Sequence, residues 1–397
     1  MKRFRLLLIG VASALLLAAC GGGMPGTAVQ RGTEDVSPSQ QRSSPPGRHA
    51  CPTPSPEASQ CEVIIIKTGV QPSVAGWGPS DLQTAYNLPS SSKGSGQIVA
   101  IVDGYDNPNV ASDLATYRSY FGLPPANFTK YNQEGQEGNY PKECNHNPKI
   151  SSYGWCIEID LDVEIVSAVC PNCTIYLVEA NDNNHLGAAE REAVKLGAHI
   201  ISNSWTWGNT SQSDFDSPGV VYLAGDGDYK YGYYPPAAFG NVVSVGGTVL
   251  AKHGSKYKEI VWPWTGGGCD SGIVKPPWQH DPDCTFRTAG DVAAVAWEVA
   301  EYDTYNGTSG WLTIGGTSVA TPLIASVYAL AGNASSQHAG QELWTLTNQQ
   351  RKEYLHTISE GSDGSCGGTY LCTAGTGQYG TYSGPAGWGT PNGIGAF

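Results

Sequence analysis

Basic residues are scarce in this chain: 22 Lys and Arg stand against 35 Asp and Glu, a formal charge of −13. Nothing supplies the positive stripe that phosphate neutralisation requires, so a nucleic acid is excluded as a partner. Long apolar runs are lacking too. The run from Leu6 to Ala19 falls short of the roughly 20 residues that a membrane-spanning helix needs. A third absence is chemical. None of the 8 His lies in a His-Gly-Thr-His setting, and His49, His146, His185, His199, His253, His280, His338 and His356 are each read as solvated surface histidines. A serine hydrolase usually needs a histidine base, and none is in view. There is also no second CxxC, so Cys170-Pro171-Asn172-Cys173, which leads straight into the strand-like Thr174 to Val178, is read as neither a redox pair nor half a zinc site.

What is present is a serine at a glycine-flanked turn. In Ile314-Gly315-Gly316-Thr317-Ser318-Val319-Ala320-Thr321-Pro322, Ser318 precedes an apolar, helix-like stretch from Leu323 to Leu330. A helix that follows a hydroxyl aims its free N–H groups and positive dipole end at developing negative charge. Pro322 fits if it lies within the first helical turn. Serine is also a favoured N-cap, and on this motif alone a capped turn and a nucleophile stay equally open.

Acids offer the alternative to histidine. Cys156-Ile157-Glu158-Ile159-Asp160-Leu161-Asp162-Val163-Glu164-Ile165-Val166 carries Glu158, Asp160, Asp162 and Glu164 with no basic residue among them. Such a cluster is either a solvated acidic face or a site where some member stays protonated. The alternation favours a half-buried strand, while the Ile-Val-Ser-Ala continuation suits a helix. Glu158 and Asp162 share a face in both cases. The run Val220-Val221-Tyr222-Leu223-Ala224-Gly225-Asp226-Gly227-Asp228 reads as a buried strand that delivers Asp226 to its C-terminal end, where open α/β sheets bind ligands. An ordinary turn aspartate is the other reading.

In this order the three motifs resemble the sedolisin (serine-carboxyl peptidase) family. The resemblance runs from about Gly76 to Phe397, through Asp81 to Pro89, Gly96 to Asp103, Ile200 to Trp205, Tyr234-Pro235-Pro236, Val243 to Thr248 and Gly387 to Gly393. It implies an α/β fold: a subtilisin-like three-layer sandwich with a mostly parallel central sheet and helices on both faces. It implies Ser318 as nucleophile, Glu158 as general acid and base, Asp162 as the carboxylate that orients Glu158, and Asp226 as the acid of the oxyanion hole. It also implies that Glu158 to Asp162 is helical. The function expected is a serine endopeptidase that hydrolyses proteins at acidic pH. The aromatic residues, 11 Trp and 21 Tyr, keep one alternative open: a surface-anchored peptide- or glycan-binding protein on an inactive protease scaffold.

The N-terminus reads as a targeting segment, residues 1–20. Lys2, Arg3 and Arg5 precede the apolar run, and Leu17-Ala18-Ala19-Cys20 resembles a lipobox, with Cys20 as the lipidated residue. Residues 21–73 read as a Pro/Ser/Gly-rich tether and 74–397 as the peptidase domain. Ten of the 11 Cys remain, an even number that suits an oxidising compartment. Sequence-local pairing would join Cys51 with Cys61, Cys144 with Cys156, Cys170 with Cys173, Cys269 with Cys284 and Cys366 with Cys372. The partners expected are polypeptide substrates and, through the anchor, a membrane at the cell surface or envelope; the chain is read as a monomer. No cofactor is expected. The family resemblance implies calcium near the C-terminus, but Thr357 and Ser383 stand at the aspartate positions and no Asp or Glu follows Asp363.

Overall fold

The first strands lie in a stretch that the sequence marks as tether. In a computed structural model, residues 47–397 are described, apart from 54, 56, 57, 67–73, 146–151, 306–309 and 337–339. Cys20, His146 and His338 lie outside the described residues. Three two-residue strands come first: β1 (Arg48–His49), β2 (Gln60–Cys61) and β3 (Ile64–Ile65). They are held against the body, with Val63 and Ile64 fully buried. The expected tether ran to residue 73. Strands form within it because the Cys51–Cys61 disulfide and the apolar run Val63 to Ile66 give this stretch a reason to pack, which its Pro/Ser composition concealed.

Helix α1 (Pro79–Ala85) opens on proline, whose missing N–H is harmless at a first position. Then follow β4 (Ile98–Gly104), α2 (Val110–Tyr120), β5 (Asn127–Asn132), α3 (Trp155–Val169), β6 (Thr174–Ala180), α4 (Leu186–Lys195), β7 (Ile200–Asn203), β8 (Trp205–Thr206) and β9 (Val221–Gly225). Next come β10 (Val243–His253), β11 (Lys256–Val261), β12 (Gly268–Val274), β13 (Phe286–Ala289), β14 (Val292–Val295), β15 (Val299–Asp303) and β16 (Gly310–Gly315); helix α5 (Thr317–Ala331) follows β16 directly, and a two-residue pair, Leu355–His356 with Thr390–Pro391, lies beyond it.

The central sheet has the order β11-β10-β9-β7-β4-β6-β5, with β14 also paired to β10. Its pairings are parallel except for the β10–β11 hairpin. Strands covered on both faces read as continuous apolar runs, as β4 and β9 do. Both end at an acid: Asp103 near the end of β4 and Asp226 just beyond β9. Helix α5 packs against β4, β7, β9, β10 and β14, and α4 against β4 and β6. This is the mostly parallel α/β architecture that the sequence motifs implied.

Helix α3 explains why its own sequence misled. It lies among α1, α2, α5, β4, β6 and β15, and every one of its residues is buried. A helix covered all round carries no amphipathic stripe, so apolar/polar alternation along it reflects where acids are used and not which face meets water.

The five disulfides join the sequence-local pairs: Cys51–Cys61, Cys144–Cys156, Cys170–Cys173, Cys269–Cys284 and Cys366–Cys372. Cys156 is the second residue of α3 and Cys170 follows its last, so two bridges pin the ends of the helix that carries the acids. The Cys269–Cys284 bridge staples the β12–β13 ribbon.

Candidate active site

Ser318 is the second residue of α5, and the N-cap is Gly316. The capped-turn reading of Ser318 therefore fails. Asp228 does that work, accepting from Thr317 N at 2.8 Å and Thr317 Oγ1 at 2.9 Å, a carboxyl placed against the positive end of the helix. Ser318 is left buried with its Oγ unpartnered. Gly316 has φ +120°, and a Cβ there would lie 2.1 Å from the Glu62 carbonyl oxygen and 2.7 Å from Asp228 Oδ2. Only glycine tolerates both the dihedral and the approach.

Pro322 is not in the first turn, as the sequence had suggested; it is the sixth residue of α5. Proline has no N–H to give to the carbonyl four residues back, which here belongs to Ser318. That carbonyl instead faces Ser204 Oγ at 3.4 Å. The same hydroxyl donates to Asp162 Oδ1 at 2.8 Å, so Ser204 links the Ser318 backbone to the acid helix.

Helices α3 and α5 pack together, which brings Glu158 and Asp162 to Ser318. Glu158 Oε2 accepts the Val63 N–H at 2.9 Å. The Ser318 hydroxyl is close enough to Glu158 to favour its charged form. No hydrogen bond of good geometry joins them, since Ser318 Oγ and Glu158 Oε1 both lack a partner. Burial pushes Glu158 well above the usual carboxylate range, and the neighbouring charges of Asp162 and Asp103 push further. Asp162 is raised by burial and then by Asp103, with Ser204 pulling it back. Asp103, fully buried with neither carboxyl oxygen hydrogen-bonded, is itself pushed up to about 8 by burial. Three such acids titrate as one unit.

Asp226 is fixed by its backbone, whose N–H donates to Val245 O at 3.0 Å. Its Oδ1 accepts from Thr265 Oγ1 at 2.8 Å and from Gly266 N at 3.0 Å. Oδ2 is buried without a partner. Burial raises this carboxyl well above its ordinary range, against the pull of Thr265 and Gly266, and Glu62 adds to the rise. With Oδ1 occupied as an acceptor, Oδ2 is the oxygen free to carry a proton and donate it. Gly225, just before it, would place a Cβ 2.7 Å from Thr317 Oγ1, so the end of β9 abuts the start of α5.

Sequence reasoning missed several participants. Asp103 ends an apolar run just as Asp226 does, and that signal could have found it. Ser204, Thr265 and Asp228 carry no separable signal. Glu62 and Val63 were hidden inside the tether. Glu62 is fully buried, accepts from Thr206 Oγ1 and from Asp228 N at 3.1 Å, and is pushed up to about 8 by burial. His49 is not a solvated histidine: it stacks on Tyr229 with centroids 4.9 Å apart, and burial lowers it to about 4.

Thr357 is exposed while Ser383 is buried. Among the described residues, ligand atoms of Asp113, Asp160 and Asp303 converge as a metal's would. There Asp113 already accepts from Thr304 Oγ1 at 2.7 Å and Asp160 Oδ2 from Asn107 Nδ2 at 2.8 Å.

Comparison with known proteins agrees with this fold. The subtilase family model matches residues 133–389. Kumamolisin of Bacillus sp. (strain MN-32) is 28% identical over 345 residues, covering 75% of this chain and 60% of its own. Sedolisin of Pseudomonas sp. (strain 101) is 23% identical over 386 residues, covering 83% of this chain and 62% of its own. The chain thus spans about three-fifths of the length of these curated relatives. A solved Pseudomonas sedolisin, a serine-carboxyl proteinase complexed with pseudo-iodotyrostatin, has the same fold at TM-score 0.66 and 23% identity, covering 81% of this chain and 96% of that one.

Proposed function

The chain belongs to the subtilase family, and from that premise we propose that it is a serine-carboxyl endopeptidase, hydrolysing peptide bonds in proteins at acidic pH. The observation that carries the reading is the convergence on Ser318 of two coupled acids, Glu158 and Asp162, with a third, Asp226, holding a free carboxyl oxygen. The likeness to kumamolisin and sedolisin supports it.

The steps follow the acyl-enzyme template. Glu158 takes the Ser318 proton as Oγ attacks a peptide carbonyl. Asp162, held by Ser204, orients Glu158. The oxyanion is met by protonated Asp226 and by the Ser318 N–H, which as an early helical N–H has no intrahelical acceptor. Glu158 then passes its proton to the leaving amine, and water repeats the sequence in reverse to free the acid product. Rising pH removes the proton from Asp226 and turns a donor into a repelling charge, so activity belongs to acid.

The substrates on this reading are polypeptides, and the working unit is a monomer that needs no calcium at Thr357 and Ser383. Cys20 carries the lipid that anchors the protein at the cell surface or envelope, a proposal that rests on Leu17-Ala18-Ala19-Cys20. The test of the enzymatic reading is digestion of an unfolded protein, scanned from acidic to neutral pH beside Ser318→Ala. Cleavage confined to acid and abolished in the variant is expected. Cleavage that peaks at or above neutrality, or that persists in Ser318→Ala, would overturn it.

A further inference from the structure

Helix α3 carries two pairs of acids. Residues two apart on a helix point to nearly opposite sides, so Asp160 and Glu164 leave α3 on the face away from Glu158 and Asp162. Helix α2 and strand β15 pack against α3 and against each other. From α2 comes Asp113, and from β15 come Glu301 and Asp303, which share a side because strand residues alternate. All five acids are buried. Ligand atoms of Asp113, Asp160 and Asp303 lie within 4.8 Å of one another, within the reach of one calcium ion, whose oxygens sit at about 2.3–2.6 Å.

The carboxyls are aimed by the surrounding chain. Asp113 accepts the Thr304 N–H at 3.0 Å and its hydroxyl at 2.7 Å. Asp160 Oδ2 accepts from Asn107 Nδ2 at 2.8 Å, Asp303 Oδ1 from Tyr305 N at 2.7 Å and Glu164 Oε2 from Tyr302 N at 2.9 Å. Such bonds orient ligands in metal sites.

A separate observation points to something that these bonds do not supply. Asp160 Oδ1, Glu164 Oε1 and both oxygens of Glu301 are buried with no hydrogen-bond partner. Glu301 is aimed at the same place: burial holds its carboxyl well above the usual range, and the charges of Glu164, Asp303, Asp160 and Glu158 add to the rise. Asp160 is raised by burial and then by Asp303, Asp113 and Glu164. Every one of these neighbouring charges is an acid. Buried carboxylates are as a rule paired or bound to a metal, because an isolated one is costly.

We propose that Asp113, Asp160 and Asp303, with Glu301 as a fourth carboxylate, form a binding site for one hard divalent cation, calcium. The donors are all oxygen, which selects hard cations over those that prefer nitrogen or sulfur. Calcium accepts about six to eight oxygens in irregular arrangements, whereas magnesium demands a near-ideal octahedron. The site lies on different elements from Thr357 and Ser383. Its ion ties α2 and β15 to the middle of α3, at a residue two places from both Glu158 and Asp162. The role is structural, fixing the helix that carries those acids, and it stands without the peptidase reading.

The experiment uses the full chain carrying Ser318→Ala, stripped with a chelator and held at neutral pH with its disulfides intact. Calcium alone is titrated in, with magnesium in parallel, and followed by calorimetry and thermal unfolding. One calcium per chain is expected, with a rise of several degrees in Tm once calcium is about a hundredfold above its Kd, and a smaller rise with magnesium. Asp160→Asn and Glu301→Gln should each weaken calcium binding at least about tenfold. Both should stay folded without the ion, since each removes a buried charge at nearly constant shape. Ser383→Ala should bind calcium as its parent does. No calcium binding at neutral pH, an equal response to both ions, or binding that Asp160→Asn and Glu301→Gln both retain would overturn the proposal. So would binding that Ser383→Ala abolishes.

Discussion

Glu62→Gln in a Ser318→Ala background isolates how far the buried acids tie the fold to low pH. Glu62 is ordinarily half-protonated at 4.5 and is pushed up to about 8 in the fold, chiefly by burial. A carboxyl with a raised folded value contributes stability that is fully present below its unfolded value and is lost as pH rises through the folded one. Between 4.5 and about 8 the loss runs at about 1.4 kcal/mol per pH unit, or roughly 5 kcal/mol across the window. Asp103, pushed from 3.8 to about 8, contributes a second loss over nearly the same window. The glutamine can keep both contacts, its oxygen accepting from Asp228 N–H and its amide donating to Thr206 Oγ1. Denaturant unfolding at a series of pH values, disulfides intact, reads the slope directly. The parent should lose stability steadily from acid to neutral, and Glu62→Gln should be less steep by about 1.4 kcal/mol per pH unit. Stability that is flat or rising over this range, or an unchanged slope in the variant, would refute the assignment of buried, protonated Glu62.

Other outcomes follow from the site. Asp226→Ala should lose about a hundred- to a thousand-fold in kcat, whereas Asp226→Asn keeps a donor and should retain more activity with less need for acid; equal losses at all pH values would remove the donor role. Ser204→Ala takes away the 2.8 Å bond to Asp162, so kcat should fall about tenfold with KM little changed, and the pH profile should move upward as Asp162 loses the group that pulls its value down. Gly316→Ala meets both φ +120° and a 2.1 Å contact with Glu62 O, and thermal unfolding in the Ser318→Ala background should show a loss of about 1–3 kcal/mol.

What could be read from the sequence divides by physical cause. Ser318, Glu158, Asp162 and Asp226 stood out because each sits in a local pattern: a glycine turn before a helix, an unneutralised acid run, a strand ending at Asp. The parallel sheet came from the family resemblance, and of its strands only the one ending at Asp226 was read from its own apolar run, Val220 to Ala224. Sequence-local spacing was enough for the disulfides. Helix α3 was not legible from periodicity, since it has no solvent face to give it one. Asp103, Ser204 and Asp228 act through contacts between segments far apart in sequence. Glu62 was lost because composition averaged over a Pro- and Ser-rich stretch hides the few buried residues that pin it.

The central claim is that carboxylates, not a histidine, activate Ser318. Its most direct measurement is acylation of Ser318 by an activated ester, followed by intact mass across pH in the wild-type chain and in Glu158→Gln. An adduct on Ser318 that forms fastest in acid, and about a hundredfold or more slower in the variant, is the result predicted. Acylation that speeds up toward neutral pH, or that proceeds equally well in Glu158→Gln, would contradict it.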